Sequence, residues 1–476
     1  MAVSVDPATR KKVLKVIFIS LLLDLISFTF ILPLFPKLLD FYRSLEVAPS
    51  SAGSRTLLAG ILDSLNKYKN SFSRPIDSRY DVVLLGGAMG SLFSALQAIA
   101  SPVIGILSDR YGRRKALLVS MCGNILSVLL WLLATDFRTF LLSRIVGGLS
   151  EGNVQIATSI ATDISSEAQR GSTMALVGAC FSIAFTFGPA LGAYLSTIST
   201  VAANPFATAA GFSLFLIVVE TLYLYLYLPE TLPSITSLTP AATSATADLA
   251  PRAASTRSKA RANDSSAAAT TSSTRSPAAG PPGTNSYAIL NLTHLTFILF
   301  FSGMEFSLPF MTHDLFDYSA AHNGRLLGFV GLVASLLQGG VTRRLPPLRN
   351  VQLGTLACLA AFFLLARVAS VAQLYLAAAL LAVTSATVVT GLNSLCSLEA
   401  PPGERGARLG SLRSCGQIGR ATGPLAFCTL YWWAGREVAY FVGGSGMLGV
   451  VALIFLGLRA PRVGAKSVGP KAKAEL

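Results

Sequence analysis

Seven charged residues stand where a chain rich in long apolar runs has most reason to exclude them. Asp24, Arg144, Glu151, Glu220, Glu305, Arg413 and Arg420 all fall within or beside such runs. An ionised side chain at a bilayer centre costs on the order of 2.5–3.5 kcal/mol on the insertion scale. These groups must therefore neutralise one another, take up protons or face a wet cavity. Carboxyls and guanidiniums in that setting can do two kinds of chemistry: reversible proton uptake, and recognition of an anionic solute by fixed positive charge.

Each residue carries its alternatives. Asp24 sits about eleven residues into the first run, roughly 16 Å deep at 1.5 Å per residue. It reads either as a carboxyl that takes up a proton during a cycle or as a structural carboxyl bonded to a neighbouring helix. Arg144 and Glu151 are seven apart, which puts them on one face of a single helix. They serve either as a structural pair sharing a partner or separately as substrate and proton groups. Glu305 is a further proton candidate. Arg413 and Arg420 share a face of a later run; Arg413 is near enough to an end to snorkel and Arg420 is too deep. Arg144 and Arg420 are thus the candidate substrate cations. Glu220 has no evident mate and reads as a carboxyl bonded between helices or snorkelling. Asn153, Gln155 and Asn393, with Gln97, Asn124 and Gln338, suit either a cavity lining or hydrogen bonds between helices.

The elements that must hold these residues follow from composition. Of 476 residues, 52% are hydrophobic and 13% charged, against about 25% charged in a soluble protein. Lipid leaves exposed backbone unsatisfied, and the runs are far longer than barrel strands, so helices are expected. The first run, about Val13 to Leu38, holds Pro33 and Pro36 near its end. It is too long for the apolar core of a cleaved signal. A polar stretch follows from Asp40 to Tyr80, amphipathic over Leu57 to Leu65. Five more runs begin near Val82, Ala116, Phe140, Met174 and Phe206. Residues 232–286 are Ala, Ser, Thr, Pro and Gly with scattered Arg, a composition expected to remain disordered. Six further runs begin near Ile289, Gly324, Val351, Val371, Leu409 and Ala439.

The expected architecture is an all-α membrane protein of twelve transmembrane helices in two pseudo-symmetric six-helix bundles. Residues 1–231 form the first, 232–286 a cytoplasmic linker, and 287–476 the second with its basic tail. Alternate loops on the side of both termini hold 24 of the 38 Lys and Arg, while the opposite side holds 11. That bias sets both termini in the cytoplasm. It also explains the net charge of +15 as topology rather than as a stripe for nucleic acid. The six cysteines have no metal-ligand spacing and read as small core residues. Three histidines, no phosphate-binding G-x-x-x-x-G-K-[ST] and no nucleophile elbow leave no enzyme chemistry, cofactor or metal site to expect.

One turn between two apolar runs is unlike the others: Gly105-Ile-Leu-Ser-Asp109-Arg110-Tyr-Gly112-Arg113-Arg114-Lys115. A mere basic anchor would need neither its glycines nor its aspartate. The pattern resembles the signature loop between helices 2 and 3 of the major facilitator superfamily. Within that superfamily the chain is similar to the tetracycline-antiporter branch. The residues that carry the resemblance are Leu23-Asp24 with Pro33-Leu-Phe-Pro36, Arg144-Ile-Val-Gly-Gly148 running on to Asp163, Gly188-Pro189-x-x-Gly192, and Leu228-Pro229-Glu230-Thr231. In the second half, Phe301-Ser-Gly-Met-Glu305, Thr312-His313, Gln338-Gly339 and Gly410-Ser-Leu-Arg413 resemble animal members of the branch. A shift of 235 residues places Gly105 on Gly340 and Gly188-Pro189 on Gly423-Pro424, while Asp109 falls on Arg344.

The resemblance implies a gating role for Gly105, Asp109, Arg110, Gly112, Arg113, Asp163, Gly188 and Pro189. Asp109 would face the N-terminal end of the eleventh span, where a helix dipole favours an anion, and Arg113 would pair with Asp163. Bacterial tetracycline antiporters carry a functional acid where this chain has Ser127, which shifts proton coupling onto Asp24, Glu151 or Glu305. The expected function is a secondary active transporter that exchanges protons for small amphipathic organic molecules, organic anions or drugs. The alternatives are a facilitative uniporter of an organic anion and a non-transporting membrane receptor or scaffold that keeps the fold. A monomer is expected, in the plasma membrane or an endolysosomal membrane.

Overall fold

The computed structural model describes residues 6–47, 56–72, 81–195, 198, 204–232 and 284–461. Most of the expected linker, the basic tail beyond 461 and parts of the 40–80 stretch lie outside the described residues. Among the described residues every regular element is a helix. The first nine are α1 (Pro7–Thr29), α2 (Ile31–Val47), α3 (Leu57–Asn70), α4 (Asp81–Tyr111), α5 (Arg113–Leu132), α6 (Phe137–Ser150), α7 (Asn153–Asp163), α8 (Glu167–Leu195) and α9 (Ala207–Tyr227). Six follow: α10 (Tyr287–Phe316), α11 (Ala320–Leu337), α12 (Pro347–Ala366), α13 (Val371–Glu399), α14 (Arg405–Ala434) and α15 (Arg436–Gly457). A π turn, Gln338–Thr342, closes α11.

Buried apolar side chains gather mainly into two cores, one running from Val13 to Leu228 and the other from Leu290 to Leu458. Nine helices among the described residues are long and apolar enough to cross a membrane. The expected first, fourth and eleventh spans are not among them. The first run divides at Phe30 between α1 and α2. Pro33 lacks the N–H that would bond the carbonyl of Thr29, so the helical ladder has a gap there. The fourth is broken at Glu151–Gly152 into pieces of 14 and 11 residues. This corrects the expectation of one continuous helix carrying Arg144 and Glu151 on a shared face. The eleventh, α14, carries Arg405, Arg408, Arg413 and Arg420.

Where α1 breaks, α8 comes close. A Cβ on Gly188 would strike Thr29, and one on Gly192 would strike the Phe30 backbone. Small residues at these two positions, with Pro189 between them inside the helix, let the two backbones touch. Tyr42 of α2 packs on Phe137 and Phe140 and donates its hydroxyl to the Ala134 carbonyl at 3.2 Å.

The amphipathic stretch forms α3, capped by Thr56, whose Oγ1 accepts from Ala59 N–H at 3.2 Å. Lys69 near its end pairs with Asp81 of α4 at 2.6 Å. Tyr68 shares a hydroxyl–hydroxyl bond with Thr429 of α14, and Phe72 meets Trp432 edge-on. A single short helix thus touches both halves.

Gly112 joins α4 to α5 at φ 104° and ψ 150°, a conformation open in practice only to glycine. Gly112→Ala is expected to cost about 1–3 kcal/mol, measured as a lower unfolding temperature of the purified protein. An unchanged temperature would show that the turn relaxes without strain.

Candidate functional site

The break between α6 and α7 is built from Ser150, Glu151, Gly152 and Asn153, a run with turn composition. Its freed backbone is satisfied by α5: the Gly152 N–H donates to Ser120 Oγ at 2.9 Å, and Ser120 Oγ donates to the Ser150 carbonyl. Non-helical backbone is tolerated at membrane depth when protein groups meet its polar atoms in this way. The result swings Asn153 toward α1, where its Nδ2 donates to Asp24 Oδ1 at 3.1 Å. The other Asp24 oxygen is buried with no partner among the described residues.

Asp24, Arg144 and Glu151 border one cavity, together with Ser27, Phe93, Asn124, Ser127 and Trp131. Arg144 is 8% exposed and lies over the Phe93 and Phe140 rings at 6.0 and 5.5 Å. Its Nε donates to Ser143 Oγ at 3.3 Å, and no carboxylate among the described residues pairs with it. A guanidinium so placed keeps its charge available to a solute while aromatic faces offset part of its desolvation. Ser127 donates to the Ser143 carbonyl at 2.7 Å and adds no charge to the cavity.

The second half contributes Arg413. Its Nε is buried with no partner among the described residues, and the charges that act on it are Glu151, Arg420 and Asp24. This corrects the reading of Arg413 as a snorkelling residue: it turns inward, across the seam between the halves. One turn farther along α14 is Gln417, and then Arg420, whose Nη1 lies 3.3 Å from Glu305 Oε2 on α10. Both members of that pair are 45% exposed, so the bond is open to displacement.

At the end of the molecule where α4 meets α5, the signature residues assemble a network. Asp109 accepts from the Gly406 and Ala407 N–H groups at 2.9 and 2.7 Å. These are first-turn amides of α14, left unsatisfied by the helix itself, and the positive end of its dipole faces the carboxylate. Arg113 is fully buried. It pairs with Asp109 at 2.7 Å and with Asp163 at 2.8 Å, and donates to Ser108 Oγ at 2.7 Å. Asp163 in turn holds Arg405 of α14 at 2.9 Å. Gly105 lets the helices approach here, since a Cβ on it would strike the Gly406 carbonyl. Glu230 caps the start of α5, accepting from Arg113 and Arg114 N–H at 2.9 and 3.2 Å. Arg110 is exposed and lies over the Tyr111 ring.

Two of the candidate polar residues stand apart from the cavity. Gln155 is 3% exposed and donates to the Ser101 carbonyl at 2.8 Å, wedged in the crossing of α4 and α14. Asn393 on α13 has no hydrogen-bond partner among the described residues and is not in the cavity wall. Arg405 and Glu230 were not singled out from the sequence as network members. A cation in the first turn of a helix opposes the dipole, and that mismatch is the signal that Arg405 has a carboxylate partner.

The geometry can be set beside known proteins. The sequence pattern described as Major Facilitator Superfamily matches residues 17–424. Major facilitator superfamily domain-containing protein 10 from Mus musculus is 34% identical over 450 residues, covering 92% of this chain and 91% of that protein. The Homo sapiens protein of that name is 33% identical over 444 residues, covering 92% and 91%. The class G tetracycline resistance protein of Vibrio anguillarum is 35% identical over 124 residues, 26% of this chain and 31% of that protein. Among solved structures, that of the human organic anion transporter MFSD10 (TETRAN) superposes with a TM-score of 0.78 at 29% identity. It covers 94% of this chain and 100% of that one. With its apolar helices, its signature turn and this coverage, the chain belongs to the major facilitator superfamily, a family of multi-pass membrane transporters of small molecules.

Proposed function

We propose that the protein is a secondary active transporter that exchanges protons for small amphipathic organic anions. The observation that carries this reading is the convergence of Asp24, Arg144 and Glu151 on one cavity, with Arg413 of the other half acting on the two carboxyls. Protonatable groups beside fixed cations make the site's hold on an anion depend on its protonation state, and that dependence is what links the two movements. Asp24 and Glu151 carry the proton, Arg144 and Arg413 hold the anion, and Asn153 orients Asp24. Glu305 and Arg420 form the outer part of the pathway. The tetracycline resistance relatives and the human organic anion transporter favour the same class of cargo.

In this scheme the nine apolar helices are joined by α1, by the broken pair α6–α7 and by α14 to give twelve crossings. Residues 1–231 and 287–476 form two bundles that rock about the site, with both termini in the cytoplasm, as a monomer. The Asp109, Arg113, Asp163 and Arg405 network is the cytoplasmic latch. Gly105, Gly112, Gly188 and Pro189 allow the close contacts on which the rocking turns. The membrane is a plasma or endolysosomal one.

Vesicles carrying the purified protein and a panel of organic anions test this directly. With the membrane potential clamped at zero, a one-unit pH gradient stores about 1.4 kcal/mol per proton, hence about tenfold accumulation per proton exchanged. Uptake that ignores the gradient would leave a facilitative uniporter, and no uptake of any anion would favour a receptor or scaffold.

A further inference from the structure

Glu220, on α9, is a carboxyl that the exchange scheme above does not use. It is 1% exposed. Ser20 of α1 donates to its Oε1 at 2.6 Å, while Oε2 is buried with no partner among the described residues. No Lys, Arg or His among the described residues lies within ion-pair distance of it. The charged groups that act on it are carboxyls: Asp24, one helical turn from Ser20 on α1, and Glu151 at the α6–α7 break. The remaining major neighbour of α9, helix α5, brings Arg114, which donates to the Tyr225 carbonyl of α9 at 2.6 Å and does not pair with Glu220. The surrounding cluster therefore holds three carboxyls, Asp24, Glu151 and Glu220, against two guanidiniums, Arg144 and Arg413.

An ionised Glu220 would have one hydrogen bond for two buried oxygens, no counter-ion, and two like charges nearby. Burying a lone charge costs far more than burying a neutral polar group, and two carboxylates that share a site do not both stay ionised. We infer that Glu220 carries a resident proton in the resting protein and is a further proton-bearing group of the exchange cycle, beside Asp24 and Glu151. Its proton is the one the cluster gives up when Asp24 is already protonated, and Ser20 keeps the carboxyl turned toward α1. The resident proton rests on geometry and charge alone; its part in the cycle rests on the proton-exchange reading.

Infrared spectroscopy of the full-length protein in detergent at neutral pH tests the first half. The wild type is expected to show the carbonyl stretch of a buried protonated carboxyl that persists in Asp24→Asn and disappears in Glu220→Gln. Ser20→Ala leaves the carboxyl in place and should shift the band by removing its hydrogen bond, which serves as a second reading should Glu220→Gln fold poorly. A wild-type spectrum without the band, or a Glu220→Gln spectrum that keeps it, overturns the inference.

The second half is read in vesicles from the pH profile of fluorescein exchange. Glu220→Gln is expected to move the half-maximal pH by about one unit, the scale of coupling between interacting sites. Loss of the band with an unmoved profile would reduce Glu220 to a structural carboxyl and overturn its place in the cycle. Wild-type exchange indifferent to pH would defeat the proton-exchange reading itself, with the infrared result still deciding where the resident proton lies.

Discussion

Asp24→Asn is expected to uncouple the protein while leaving it able to move its cargo. Under a one-unit pH gradient the wild type accumulates an organic anion about tenfold for each proton exchanged; in the variant the ratio of inside to outside falls to one. Asparagine keeps the size of the side chain and can still bond Asn153, whose Nδ2 meets the Asp24 Oδ1 at 3.1 Å. It cannot gain or lose a proton. Counterflow of labelled anion against unlabelled anion, which needs no proton, should therefore persist with Arg144 and Arg413 in place. Accumulation that survives the substitution would remove Asp24 from the coupling scheme.

The second large effect is expected at the other end of the pathway. Asp109 accepts two amide bonds from the first turn of α14 and pairs with buried Arg113. Hydrogen bonds to a charged group contribute roughly 1.5–3 kcal/mol. Asp109→Asn removes the charge and offers one acceptor in place of two. Protection of the Gly406 and Ala407 amides against hydrogen exchange should fall by about 10- to 100-fold, and net transport should fall with it. The loss is amplified because Arg113 is left with Asp163 alone, which already serves Arg405. Amides that stay protected in a fully active variant would show that the latch does not depend on this carboxylate.

The signature turn explains why this end of the molecule was legible in the sequence. Its residues are contiguous, and a carboxylate, an arginine and two glycines at fixed spacing have few ways to be satisfied. The inner cavity was harder to read for a physical reason. A helical period puts Arg144 and Glu151 on one face only if the helix is unbroken, and it is not. Ser150-Glu151-Gly152-Asn153 has the composition of a turn, and that local signal was the better guide than the long apolar run around it. Arg413 illustrates a different limit. Snorkelling and inward pointing are equally open to an arginine near a helix end, and the choice is made by Glu151 and Asp24 on other helices. Ser20 is likewise 200 positions from Glu220, a separation no local pattern can bridge.

Helix α3 bears on what happens when the outer ends of the molecule part. It is fastened to α4 by the sheltered pair Lys69 and Asp81, and to α14 by a single neutral bond from Tyr68 with an aromatic contact beside it. A hydrogen bond between charged groups contributes roughly 1.5–3 kcal/mol, against roughly 0.5–1.5 kcal/mol for a neutral one. The weaker tether yields first. In the rocking scheme proposed above, α3 would ride with the N-terminal portion of the chain and peel away from Thr429 and Trp432, so that one rim of the entrance is resurfaced while the other keeps its cover.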